Sequence, residues 1–133
     1  MQAQDIYYRM YQDDMDYLRQ LVQNNARIID PNSLMNRYSF ERSTIAHTLC
    51  DNPNPYDYAF ASFWFNTDFA IPINLNTKDD KGYTCFDYLS KQSANLEMLK
   101  IIHESRARRM QCATRVFCLT LLISQNFFSN NNK

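Results

Sequence analysis

The sequence predicts an all-α chain, a solenoid of stacked antiparallel helix pairs joined by short turns or hairpins. Three observations support this expectation. Apolar residues recur at helix spacing near both ends of the chain, and two internal echoes suggest a repeated unit. The third is that the 133 residues include one glycine, Gly82, where average usage would give roughly nine. That scarcity excludes a phosphate-cradling loop, which needs several glycines. It also disfavours multi-hairpin β architectures, which turn on glycine. Asparagine, with 14 residues, tolerates positive φ and can serve some turns. At this length one domain is expected, over residues 1–128, with residues 129–133 as a disordered polar tail.

Residues 3–30 read as a helical pair. Ile6, Tyr7, Met10 and Tyr11 form one stripe, Asp13 and Asp14 interrupt it, and Tyr17, Leu18, Leu21 and Val22 repeat it. Acids suit the start of a new helix. Asn24 and Asn25 end the pair, and Pro31 and Asn32 mark a loop. A second unit is expected over 36–75 and a third over 76–105. In the third, Lys78 to Gly82 reads as a turn. Thr84 can cap a helix, with Asp87 at the third helical position, as in a capping box. Phe86 and Leu89 would face inward, and Leu96 to Ile102 would form the second helix of that unit.

The echoes support this division. Met15 to Val22 and Leu96 to His103 share an order of apolar, acid, apolar, leucine, base and apolar finish. At a fixed offset of 40, Asn36 aligns with Asn76, Thr44 with Thr84, and Leu49 with Leu89. Such a period indicates stacked supersecondary units. Each helix pair can bury its apolar face only against a neighbour. A capping helix is expected at about 107–126. Its run from Val116 to Ile123 is too short for a membrane span, which needs about 20 residues. That run is apolar on several faces, so it is either covered or pairs with a partner or another copy.

These residues resemble the ankyrin-repeat family. The family motif places asparagine, aspartate, glycine and threonine as Asn76, Asp79, Gly82 and Thr84 are placed here. Cys85 stands where proline is usual, Phe86 for leucine and Asp87 for histidine. Leu96 to Ile102 matches the second helix, with its acid at Glu97 and its base at Lys100. A more degenerate unit keeps Asn36, Thr44, His47 and Leu49, with Ser39 replacing the aspartate and Arg42 the glycine. Its second helix would be Tyr56 to Phe65. The resemblance covers roughly residues 5–105. It implies a protein–protein interaction module, in which turn tips and first helices line a concave binding face. The candidate contacts are then Tyr38, Phe40, Glu41 and Arg42 in one tip and Lys78, Asp80, Lys81 and Tyr83 in the next. His47 fits the family's structural histidine, which bonds within its repeat. A small chain rich in asparagine and tyrosine is also similar in style to the host-directed ankyrin proteins of intracellular bacteria and large DNA viruses. That similarity would make it an adaptor or effector delivered into a host cell.

Other chemistry is less legible. Fourteen basic and fourteen acidic residues cancel, although residues 1–105 carry a net −5 and residues 106–133 a net +5. The alternative function is nucleic-acid binding through the basic segment 100–115, with Lys100, His103, Arg106, Arg108, Arg109 and Arg115. No aromatic residue is interleaved with those arginines, so the stacking signature for single strands is missing. The His47–Cys50 pair lacks an orienting group and an oxyanion site, so no enzyme activity is expected. His47, Cys50 and His103 lack metal-ligand spacing, and neither a metal nor a cofactor is expected. Cys50, Cys85, Cys112 and Cys118 form no CxxC, and reduced thiols in a cytoplasmic setting are the expectation. The aromatic segment from Tyr56 to Phe65 reads as core packing, with an interface hot spot as its functional alternative.

Overall fold

The computed structural model describes residues 1–12, 14–38, 41–91 and 96–109. Helices α1 (Ala3–Arg9) and α2 (Met15–Asn24) form the first pair. Asp5 closes the first turn of α1 by accepting the Gln2 N–H at 2.9 Å. Ile6 and Met10 at one end of the pair, and Leu18 and Val22 at the other, are fully buried. The tyrosines of the same stripes are treated differently. Tyr11 and Tyr17 stay at least half exposed, as does Tyr8 beside them. A phenol can leave its ring partly covered while its hydroxyl finds a polar partner, as Tyr11 does by donating to the Asp57 carboxylate at 2.7 Å.

A β-hairpin follows, made of β1 (Met35–Tyr38) and β2 (Glu41–Ser43). Met35 and Ser43 are buried whereas Asn36 and Arg42 are exposed, the period-two alternation of a half-covered ribbon. Met35 pairs with Ser43 and Asn36 with Arg42. Tyr38 then faces Glu41, which leaves Arg37 as the extra residue of a bulge.

This hairpin corrects the expected fold class. Among the described residues the chain is mixed α/β, with six helices and a two-stranded antiparallel sheet, and not an all-α ankyrin-like repeat solenoid. The sequence places Tyr38 to Arg42 in a turn tip at the start of the second unit, and strands of four and three residues are too short to establish an alternating pattern there. The stretch at the 40-residue offset, 75–83, contains turns and no strand, so the unit is not copied.

Helices α3 (Ile45–Cys50), α4 (Pro55–Asn66) and α5 (Cys85–Ser90) start by one shared device. The N-cap side chain accepts the N–H of the third helical residue: Thr44 from His47, Asn54 from Asp57, Thr84 from Asp87. The third residue returns a bond to the cap's own N–H. Two otherwise orphan donors are satisfied at each start. Pro55 occupies the first position of α4, where a missing N–H costs nothing. Residues 96–109 are also helical.

The chain divides by its contacts into Met1–Ile102 and His103–Lys133. The first unit holds one core. Ile6, Leu18, Met35, Ile45, Leu49, Phe60, Trp64, Leu89 and Met98 all contribute to it. Phe60 stacks on Trp64 at 5.8 Å, and Trp64 meets Phe69 at 4.7 Å between ring centroids. Burial of Phe60, Trp64 and Phe65 gives the aromatic segment a packing role. In the second unit, residues 103–109 are helical. The remainder of the expected capping helix, the apolar run 116–123, Cys112, Cys118 and the tail 129–133 lie outside the described residues. No described helix is long and apolar enough to cross a membrane.

Candidate partner-binding site

Asn36 and Arg42 face each other across the hairpin with their backbone groups turned outward. An antiparallel ribbon alternates such pairs with inward-bonded ones. Both outward edges are covered. On the β1 side, the Gln4 carboxamide accepts the Asn36 N–H at 2.7 Å and donates to the Asn36 carbonyl at 3.0 Å. It thereby occupies the place of another strand's peptide group. On the β2 side, the Asp80 carboxylate accepts the Arg42 N–H at 3.0 Å, and the Asp80 N–H donates to the Arg42 carbonyl at 3.1 Å. The hairpin and the turn ahead of α5 are therefore joined backbone to backbone, although 38 residues separate them in sequence.

Asp79 organises that turn. Its carboxylate accepts the Lys81 N–H at 3.0 Å, the Tyr83 N–H at 2.8 Å and the Tyr88 hydroxyl. Its own N–H donates to the Tyr83 carbonyl at 2.8 Å. Burial opposes ionisation here, but the bonds from Tyr88, Tyr83 and Lys81 together outweigh it and hold the Asp79 carboxyl below its ordinary range. Burial, and then the bond to Asp79, push the Tyr88 phenol upward. Gly82 takes the left-handed conformation, with φ of +81°, that lets the chain turn into the Thr84 cap.

His47 locks the two halves together. A backbone N–H can only donate, so the Thr44 N–H at 3.1 Å leaves Nδ1 of His47 as an acceptor. A carbonyl can only accept, so Nε2 carries the proton and donates to the Tyr83 carbonyl at 2.8 Å. The histidine thus bonds to Thr44, three residues back, and also to the turn ahead of α5. Both ring nitrogens are used, which leaves neither to serve as a base for Cys50.

The structure gathers most of the sequence-predicted contact residues at this junction. Glu41 on β2 forms an ion pair with Lys81 of the turn. The hydrogen bond to Glu41 raises the Lys81 ammonium above its ordinary value. Arg42, Lys78 and Asp80 are exposed. Tyr83 is half-buried, edge-on to Tyr88 at 5.8 Å, with the Lys91 ammonium 3.7 Å from its ring centroid. Tyr38 ends β1 and is placed by its backbone, whereas Phe40 lies outside the described residues. Sequence reasoning passed over two residues as site members. Asp79 had a signal, since an aspartate opening a turn bonds backbone N–H groups two residues on. Lys91 had none, because its contact with Tyr83 reaches back over a whole helix.

Other candidate regions differ in character. Lys100, His103, Arg106, Arg108 and Arg109 lie exposed on the helical residues 96–109, and Arg115 falls outside the described residues. Within the second unit Glu104 sits one helical turn from Arg108, so an acid stands among its basic residues. An open cleft of about 340 Å³ is lined by Gln23, Ala26, Phe63, Asn66, Thr67 and Asp68, at the C-terminal ends of α2 and α4. Among the described residues no three His, Cys, Asp or Glu side chains converge as a metal site would need. No protein-family model, curated protein or solved structure matches the chain, so nothing in these comparisons identifies it with the ankyrin-repeat family.

Proposed function

We propose that the chain is a protein-binding module that recognises a partner protein through β2 and the turn 78–83. One observation carries this reading. Charges of both signs, on Glu41, Arg42, Lys78, Asp80 and Lys81, are displayed from β2 and a turn that are bonded to one another through Arg42 and Asp80 and tied internally through Asp79. Such a surface is preorganised, so little conformational entropy is lost when a partner docks. The mixed signs favour a protein partner, where complementary charge sets register and specificity. A polyanion would favour a contiguous cationic face instead. The half-buried Tyr83 adds an aromatic of the kind enriched at interface hot spots.

The test is affinity capture with the immobilised full chain, read by mass spectrometry. The double variant Lys78→Glu/Lys81→Glu is expected to keep the wild-type circular dichroism and to lose the captured partner at least tenfold. A control reversal at the exposed Arg27 in the α2–β1 loop is expected to retain it. Undiminished capture by the double variant would contradict the assignment.

A further inference from the structure

The turn that carries the proposed face also builds one wall of an aromatic notch. Tyr83, at the end of that turn, meets Tyr88 of α5 edge to face, with ring centroids 5.8 Å apart and planes at 82°. The Lys91 ammonium lies over the Tyr83 ring, 3.7 Å from its centroid, and 5.7 Å from the centroid of Tyr88. Both rings are therefore within cation–π reach of one cation. Lys91 is the exposed C-cap of α5, and it makes no ion pair among the described residues. The rings, and not a carboxylate, hold its charge.

The walls of the notch are braced from behind. The Tyr83 N–H donates to the Asp79 carboxylate, and the Tyr83 carbonyl accepts from His47 Nε2 and from the Asp79 N–H. The Tyr88 hydroxyl donates to the same carboxylate, and its ring stands edge-on to His47 at 5.8 Å and 83°. A phenol that donates to a carboxylate gains electron density in its ring, which strengthens its attraction for a cation.

We propose that Tyr83 and Tyr88 form a binding site for a lysine ammonium of the partner protein, which Lys91 fills while the partner is absent. The notch already accepts this chemical group at the edge of the proposed face. Lysine carries its hydrated charge on a flexible stem, so Lys91 can return to water when another ammonium takes its place. The exchange is like for like, and the tethered Lys91 competes at high local concentration. Removing Lys91 should therefore tighten binding. The source of the incoming lysine rests on the partner-binding reading, whereas the notch itself does not.

The experiment titrates the full chain with Nα-acetyl-lysine methylamide and follows the Tyr83 and Tyr88 ring protons by NMR. In the free wild type, the Lys91 ε-methylene protons should lie upfield of those of the other lysines, shifted by the ring currents. Lys91→Ala should bind the probe saturably and at least about threefold more tightly than wild type, the scale of one exposed cation–π contact. The neutral Nε-acetylated probe should leave the ring protons unmoved. Lys91→Ala/Tyr83→Leu, which keeps every backbone bond of the turn, should not bind. Unmoved ring protons in Lys91→Ala, equal binding of the neutral probe, or binding of an Nε-trimethylated probe alone would overturn the proposal. In affinity capture, Lys91→Ala should retain the partner more strongly than wild type, and Tyr83→Leu less. A failed titration beside an intact Lys78/Lys81 result would sink the notch alone. A successful titration beside undiminished capture by that double variant would sink only the partner-binding face.

Discussion

Gly82 has φ of +81°, and no atom lies within 4 Å of where a Cβ would stand. Substitution there meets backbone strain and not a clash. Gly82→Val is expected to cost about 1–2 kcal/mol in urea unfolding, the penalty of a left-handed L-residue, and Gly82→Asn less. Arg42, at the offset position, escapes that strain because it lies extended in β2. Asp79 acts through bonds instead. Asp79→Ala would leave the Tyr88 hydroxyl and the Tyr83 and Lys81 N–H groups short of an acceptor, for an expected loss of about 1–3 kcal/mol. The pH dependence has a definite sign. A depressed folded value means that the ionised carboxyl stabilises the fold fully above the ordinary value of 3.8 and loses that effect as pH falls through the lower folded value. The stability gap between wild type and Asp79→Asn should therefore narrow in acid, measured by denaturant titration across that range. The glycine turn and its aspartate were legible as residues. The Tyr88 contact was not, since it comes from the next helix.

Helix starts are the best-read elements. Thr84 with Asp87 was visible as a capping box, and the structure adds Thr44 with His47 and Asn54 with Asp57. Thr44→Ala removes the acceptor for His47 and should destabilise by about 1 kcal/mol in thermal or urea unfolding. The hairpin escaped the sequence because what completes it is remote. Gln4 covers β1 from 32 residues away and Asp80 covers β2 from 38. Local periodicity cannot show an edge that is satisfied by another part of the chain. Gln4→Ala should uncover the Asn36 backbone groups, and faster amide exchange at Asn36 than in wild type would show it. Unchanged exchange there would mean that the carboxamide does not protect the edge.

At the scale of the molecule, what was legible was a pair of polar tips. How they combine was not, because the Glu41–Lys81 pair, the Arg42–Asp80 backbone bonds and the His47–Tyr83 bond all join segments 36–40 residues apart. Together they fix the backbones of two separate tips into one charged surface. That fixed surface is the central claim, and a footprint tests it most directly. Hydrogen exchange of the full chain, with and without its captured partner, should show new protection concentrated at residues 41–42 and 78–83. Protection that avoids both segments and falls instead on the 100–109 helix or the cleft beside Phe63 would contradict the account.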